Sequence, residues 1–446
     1  MSSTPTPISG HPELLPDERA AELAQLDAMR SSYEDFGYGS LETSAVERLE
    51  HLTAKGGAGR QIFTLARLGQ DSKAKLGLHF DLTVPLARYI AQHAHEVSFP
   101  FKRHQIQKVW RGERAQRGRY REFVQADIDV IGDGHLDPMY DAEILAVMAR
   151  TLTNIGLTDF TMHVSNRSVL GALLRARGLE DMETPILQEI DKLLLADERQ
   201  VADALLAIEV PQAAVDGVLD LIGCDTAGDC INVLDGHGAA PDGAAELQTV
   251  VETALVLGLR SDQVKLNLRI ARGLDYYTGT VFETFADGYE HWGSVCSGGR
   301  YDDLARHFTD RRLPGVGASI GHTRLFRLML DHSFISPGSQ APTRVLVISD
   351  EEGISSSDLR LASFIRDHFG QPTEVLYGAS SRNEQVAYAR AKGIPFLVTA
   401  GDEAADGDDV EVIDVEHGAN RRVSRDRLEE VISSTVTGTH ELAVAR

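Results

Sequence analysis

Cysteine is scarce, with only Cys224, Cys230 and Cys296 in 446 residues. The number is odd and no CxxC pair occurs, so neither a disulfide framework nor a zinc site is expected. A reducing compartment, the cytoplasm, is the simplest home. No apolar run approaches the ~18–20 residues of a membrane span, so no membrane partner is expected. The opening stretch MSSTPTPISG has neither a basic n-region nor an apolar h-region, and no signal peptide is expected. HExxH, GxSxG, Walker A and Rossmann fingerprints are all missing, although GGRYDDL and GVGASIG are rich in glycine. Basic residues are the minority charge: 44 Lys+Arg stand against 67 Asp+Glu, a net charge of -23. A polyanion that binds must therefore meet a local basic patch. What remains is 42% apolar and 25% charged, the texture of a soluble globular protein, and too long for one ordinary core.

The positive charge is concentrated in RGERAQRGRYR, residues 111–121. From Lys102 to Arg121 there are eight Lys/Arg and one acid, Glu113, a local charge of +7. A charge run is commonly a solvated face. Here arginine outnumbers lysine, which suits bidentate grip on phosphate or carboxylate. Gly112 and Gly118 permit close approach, and Tyr120 and Phe123 offer flat surfaces. A phosphate-rich ligand is the better reading. The segment is a loop between a strand at about Gln105–Trp110 and the return strand FVQADIDVI. In that return strand Val124, Ala126, Ile128 and Val130 alternate with Gln125, Asp127 and Asp129, giving one apolar and one polar face.

Elsewhere, residues 18–36 read as an amphipathic helix. GLHFDLTVPLARYI changes from strand to helix near Pro85, and Asp81 and Thr83 share a face if the segment is extended. Leu/Ala-rich helical texture runs from about 168 to 258, with GHGAAPDG as a loop inside it. Strands return at VKLNLRI and GTVFETF, and GVGASIGHTRLFRLML ends as a helix. A Ser/Pro-rich linker follows. RVLVIS, TEVLYG, PFLVTAG and VEVIDV then read as strands of a small α/β domain, with helices between the first three. The acidic stretch GDEAADGDDVEVIDVE reads as a solvated loop and sheet edge.

WRGERAQRGRYREFVQADIDVIG resembles the class II motif 2 hairpin, and RGLDYYTGTVFE resembles a signature peculiar to histidine enzymes. GVGASIGHTRL is similar to motif 3. With all three in order, the chain resembles the histidyl-tRNA synthetase family of class II aminoacyl-tRNA synthetases. The resemblance implies an α+β fold: an antiparallel-sheet catalytic domain with a helical insertion, then an α/β anticodon-binding domain. The implied division is 1–332 catalytic (insertion about 168–258), 333–342 linker and 343–446 anticodon-binding. It also implies a cytoplasmic homodimer that takes histidine, ATP and histidine tRNA, with Mg2+ on the pyrophosphate side.

By the same resemblance Arg111 contacts the α-phosphate, and Arg119 and Arg324 hold the outer phosphates. Arg272 bridges the substrate carboxylate and the α-phosphate, so Arg111 and Arg272 carry the catalysis. Glu113 lies near the adenine and Phe123 stacks on it. Asp81, Thr83 and Gln125 meet the histidine ammonium. Asp129 and Tyr277 read the imidazole, with Tyr276 alongside. Gln116 and Arg117 reach the tRNA acceptor end. No dedicated protein metal site is implied. The chain departs from the family's pattern in places: SGHPELL replaces the usual Gly-x-Arg-Asp, and Ser44 stands near the motif 1 proline. Asp81 and Asp129 stand where many bacterial members have Glu. The competing reading is the family's non-catalytic relative, the ATP phosphoribosyltransferase regulatory subunit of histidine biosynthesis. That relative lacks the anticodon-binding domain and loses some ATP-binding arginines, whereas this chain keeps arginine at 111, 119, 272 and 324.

Overall fold

The computed structural model describes residues 5–54, 61–68, 74–193, 197–270, 277–302, 304–349, 353–378, 381–400 and 409–433. The chain divides into two compact units. One joins Met1–Pro12 to Leu26–Asp331, and the other joins Glu13–Gln25 to His332–Arg446.

In the first unit, eight of the described strands form one sheet. Their spatial order is Gly39–Ser40, Phe101–Trp110, Glu122–Ile131, Gly315–Gly321, Cys296–Tyr301, Thr280–Ala286, Phe160–Asn166 and Val264–Leu266. The two outermost pairings are parallel and all those between them are antiparallel. The arginine segment is the tip of the hairpin made by the strands Phe101–Trp110 and Glu122–Ile131. These strands pair over their full length, from Phe101 opposite Ile131 to Trp110 opposite Glu122.

Period two decides what each face carries. Val124, Ala126, Ile128 and Val130 are buried, as their alternation predicts. Helix Met139–Asn154 packs on the sheet and is tied to it by a buried ion pair, Arg300 Nη2 to Asp141 Oδ1 at 2.7 Å. Arg300 and Tyr301 are neighbours in GGRYDDL and so point to opposite faces. The opposite face is polar but equally buried: Gln125, Asp127 and Asp129 are only 3–5% exposed. Such groups are tolerated in the interior only when neighbours satisfy them.

Between strand Phe160–Asn166 and strand Val264–Leu266 the described residues form helices Arg167–Ala176, Glu183–Lys192, Glu198–Ala207, Gln212–Ile222, Ala227–Gly236 and Asp242–Val256. Thr226 caps one of them by accepting from the Asp229 amide, with Asp229 reaching back to the Thr226 amide. GHGAAPDG is the loop and helix start at the next junction, with Gly238 at φ +68°.

The second unit holds a five-stranded sheet in the order Thr373–Val375, Val345–Val347, Phe396–Ala400, Asp409–Asp414 and Asn420–Ser424. The first two pairings are parallel and the last two antiparallel. VLVI, residues 345–348, is apolar throughout because both its faces are covered. Val345 and Val347 join a core with Leu361, Ile365, Leu428 and Ile432, while Leu346 and Ile348 join another with Ala389 and Ile394.

Two differences from the sequence reading appear here. Strand Asp409–Asp414 is not an edge: it lies between Phe396–Ala400 and Asn420–Ser424, and Glu411 pairs with Arg382 at 2.9 Å. The edge is Asn420–Ser424, whose polar, largely exposed NRRVS carries no alternation to reveal it.

Ser355 caps helix Ser356–Phe369 through the Asp358 amide at 3.1 Å, with Asp358 answering to the Ser355 amide at 3.0 Å. Ser355→Ala is expected to lower stability by about 1 kcal/mol, measured by denaturant unfolding of the second unit's signal. An unchanged midpoint would show that the cap contributes nothing there.

Candidate active site

The site is built on the polar face of the four central strands. Register sets Arg103 opposite Asp129, Gln105 opposite Asp127, and Gln107 opposite Gln125. On the other flank Gly317 lies opposite Asp129 and Ser319 opposite Asp127. One strand further, Gly299 is opposite Gly317 and Tyr301 opposite Gly315. All these residues therefore share one face.

Glycine keeps this face open. A Cβ at Gly317 would fall 2.0 Å from Asp129 Oδ1, and one at Gly299 would fall 2.9 Å from Tyr277 Cδ1. Tyr277 therefore lies over Gly299, two strands from Asp129, and packs with Tyr301 and Ala87. The Tyr301 hydroxyl donates to Asp129 Oδ1 at 2.7 Å. Asp129 Oδ2 is 2.6 Å from Arg103 Nη2, a side chain with no exposure at all. That contact is ionic rather than a well-aligned hydrogen bond.

Next along the strand, Gln125 Nε2 donates to Ser319 Oγ at 2.8 Å and to Asp127 Oδ1 at 3.3 Å. Burial pushes the Asp127 carboxyl up to about 7, against the downward pull of the Arg103 charge and the Ser319 hydroxyl. Gln125 Oε1 accepts from Arg111 Nη2 at 3.1 Å, and Arg111 Nε donates to the Phe80 carbonyl at 2.9 Å. Arg111 thus joins the arginine loop to the segment that carries Asp81. Its guanidinium lies 5.0 Å over the Phe123 ring.

Asp81 and Thr83 are not on an extended segment. Thr83 opens helix Thr83–His93, and Asp81 Oδ1 accepts from the Val84 amide at 3.0 Å. The Asp-x-Thr pair is a helix start, because the carboxylate satisfies an amide that the helix leaves open.

The loop tip is held from below. Gly118 has φ +70°, and a Cβ there would meet Trp292 Cε3 at 3.2 Å. Arg324, in the first turn of helix His322–Asp331, donates to the Gly118 carbonyl at 2.7 Å and to the Ser294 carbonyl at 2.8 Å. Arg117 lies 4.9 Å over the Trp292 ring and pairs with Asp331 at 3.3 Å. Arg119 pairs with Glu113, and Gln116 and Arg119 bridge through their backbones.

The sequence charge of +7 is therefore not a free field. Lys102 pairs with Glu143, Lys108 with Glu122 and Arg103 with Asp129, each at 2.6 Å. Arg117 and Arg119 have acidic partners too. Arg111 and Arg121 are different: the oxygens they meet among the described residues, those of Phe80 and Gln125 for Arg111 and the Glu113 backbone carbonyl for Arg121, are neutral.

Arg111, Glu113, Arg119, Phe123, Gln125, Asp129, Tyr277 and Arg324 thus fall on or beside one sheet face. Arg272 and Tyr276 lie outside the described residues. Arg103, Asp127, Tyr301, Ser319 and Trp292 were not assigned from sequence. Period two on the return strand already placed Asp127 beside Gln125 and Asp129. Arg103, Tyr301 and Ser319 lie on other strands, brought in only by register, and Trp292 lies in the helical turn Glu290–Trp292.

A model of the histidyl-tRNA synthetase family matches residues 10–325, and a model of the anticodon binding domain matches residues 367–435. The chain is 42% identical over 407 residues to a histidine–tRNA ligase of Thermobifida fusca, covering 88% of this chain and 91% of that protein. It is 41% identical over 435 residues to one from Micrococcus luteus, covering 92% and 93%. The crystal structure of histidyl-tRNA synthetase from Nostoc sp. PCC 7120 superposes with a TM-score of 0.87 at 33% identity, over 97% of this chain and all (100%) of that one.

The raised Asp127 carboxyl gives a stability test with a definite sign. Its ordinary value is 3.8, so between there and about 7 the folded state holds the extra proton. Stability contributed by that proton is present below pH 4 and lost as pH rises towards 7. Asp127→Asn keeps the shape without the charge. Its melting temperature is expected to gain on the parent between pH 4 and 7 and to hold a constant lead above pH 8. Parallel melting curves across that window would contradict the assignment.

Proposed function

The chain belongs to the histidyl-tRNA synthetase family and is a histidine–tRNA ligase, and we propose how its polar sheet face serves that reaction. ATP and histidine condense to histidyl-adenylate. A histidine carboxylate oxygen bonds to the α-phosphorus as the bond to the pyrophosphate oxygen breaks. The tRNA 3′-terminal hydroxyl then attacks the histidyl carbonyl and AMP leaves. The alternative, a non-catalytic regulatory subunit, is not favoured by the comparisons.

Arg111 is the group for the α-phosphate. The carrying observation is its position: charged, donating to neutral oxygens, and shared between Gln125 and the Asp81 segment. Negative charge builds at the α-phosphate during attack, so a fixed cation there lowers the barrier. Arg272 is its partner in the same step by resemblance. Arg119 and Arg324 take the outer phosphates, and Glu113 releases Arg119 to do so. Phe123 offers its ring to the adenine beside Arg111. Asp81, Thr83 and Gln125 meet the histidine ammonium, and Asp129 with Tyr277 meets the imidazole, with Tyr276 alongside. A side chain without a ring N–H forgoes the bond to Asp129 that histidine makes, which is a basis for rejection.

Gln116 and Arg117, at the exposed loop tip, face the tRNA acceptor end. Residues 343–446 read the anticodon. No helix among the described residues is long and apolar enough to cross a membrane, and a cytoplasmic homodimer is the proposed working form. No three His, Cys, Asp or Glu converge on one point among the described residues. Mg2+ would therefore be held mainly by the phosphates, as is usual for an ion that keeps its waters, and would supply charge neutralisation to the pyrophosphate.

The test is histidine-dependent exchange of labelled pyrophosphate into ATP. The intact chain is expected to exchange with histidine and not with threonine or proline. Arg111→Ala is expected to lose roughly 3 kcal/mol of transition-state stabilisation, about a hundredfold in rate. Histidine binding without exchange would sink the enzymatic reading. Normal exchange by Arg111→Ala would remove that residue from the α-phosphate.

A further inference from the structure

Among the described residues, Arg103 is the largest fully buried side chain. Nothing about the phosphates needs it there, since it lies on the sheet eight residues before Arg111, at the far end of the outgoing strand. A buried guanidinium is costly and persists only with partners. Its partners are specific. Nη2 meets Asp129 Oδ2 at 2.6 Å, and Nη1 donates to Gln105 Oε1 at 3.2 Å. Gln105 is fixed in turn, donating to Thr43 Oγ1 at 2.9 Å and to Gln107 Oε1 at 2.7 Å. Gln107 donates to the Thr43 carbonyl at 3.0 Å. The chain of bonds runs from Thr43 to Asp129 without leaving one sheet face.

Asp129 is thus gripped on both oxygens, by Arg103 on Oδ2 and by the Tyr301 hydroxyl on Oδ1. Each carboxylate oxygen can accept a second bond, so the grip leaves acceptor capacity and removes rotational freedom. We propose that Arg103 is a positioning residue for amino-acid selection, acting through Asp129: it fixes the carboxylate in the plane and charge state in which a remaining lone pair meets the imidazole N–H. Three features support this. The arginine lies directly opposite Asp129 in the register. Gly317, opposite on the other flank, has no Cβ that could push the carboxylate away. A guanidinium cannot give up its proton, so its partner stays an acceptor. Asp127 lies one step along the same face, and Arg103 supplies a buried positive charge beside both carboxylates.

The inference rests on the proposed contact between Asp129 and the imidazole, and the experiment separates the two. Steady-state exchange kinetics are measured for the full-length parent, Asp129→Asn, Arg103→Lys, Arg103→Met and the double variant Arg103→Met with Asp129→Asn. The double variant has no carboxylate at 129 for the loss of Arg103 to orphan, so it keeps the test open if Arg103→Met does not fold. Asp129→Asn is expected to raise KM for histidine at least tenfold with KM for ATP within twofold. Arg103→Met is expected to do the same, with Arg103→Lys intermediate because one charge without the planar fork restores part of the grip. The preference for histidine over 3-(2-thienyl)alanine, whose ring has no N–H, is expected to fall in both Arg103 variants. In the Asp129→Asn background the Arg103 change is expected to add less than twofold, because its route of action is gone. Unchanged KM for histidine in Asp129→Asn overturns the underlying contact and the proposal with it. A raised KM in Asp129→Asn beside an unchanged KM and ring preference in folded Arg103→Lys overturns the proposal alone. So does an equal rise in KM for histidine and ATP in the Arg103 variants, or full additivity in the double variant.

Discussion

Two carboxylates and one guanidinium are buried side by side on one face of an antiparallel sheet, and the surrounding structure is arranged to make that tolerable. Asp127 and Asp129 share a strand, and Arg103 faces Asp129 from the next. Taking any of these charges from water costs several kcal/mol, and removing one partner of such a pair typically costs about 3–5 kcal/mol. Hydroxyls and amides supply the remaining stabilisation: Tyr301 on Asp129, Ser319 and Gln125 beside Asp127, and Gln105 on Arg103. Burial, with the neighbouring Asp129 charge adding to it, pushes the Asp127 carboxyl up to about 7 despite Arg103. A cationic ammonium arriving at this face meets a cluster that is short of positive charge.

The same economy shapes the hairpin above. Its basic residues are distributed among acids that include some from distant parts of the chain: Lys102 meets Glu143 and Arg117 meets Asp331. Arg121 meets the neutral Glu113 carbonyl, and Arg111, to which we assign the α-phosphate, likewise meets neutral oxygens. Its hydrogen bonds to Gln125 and Phe80 orient the guanidinium without neutralising it. In the proposed assignment phosphate and amino-acid recognition meet at Gln125, which touches Arg111 with its oxygen and Ser319 and Asp127 with its amide nitrogen.

The hairpin and the α/β terminal domain were legible because strand alternation and apolar runs are local, while the antiparallel catalytic sheet was implied by the family resemblance. FVQADIDVI announced both of its faces and put Gln125, Asp127 and Asp129 on the polar one. Arg103 was not legible. In sequence it is one more cation in a run that sums to +7, and only the pairing of residues 26 positions apart shows it buried against Asp129. Trp292 is hidden for a similar reason: it lies in a short helical turn far from the loop whose tip it supports. The glycines of GGRYDDL and GVGASIG were visible as composition. Their purpose, room for Asp129 and Tyr277 on the open side of the sheet, depends on cross-strand distances that no single strand encodes.

Everything here turns on whether the gripped carboxylate of Asp129 is what the substrate ring meets. A crystal structure with histidine bound decides it directly. The account predicts an imidazole nitrogen within about 3 Å of an Asp129 oxygen, with Arg103 and Tyr301 still on that carboxylate and the substrate ammonium beside Gln125. A ring that points away from Asp129, or an Asp129 that must leave Arg103 to reach it, would contradict the account.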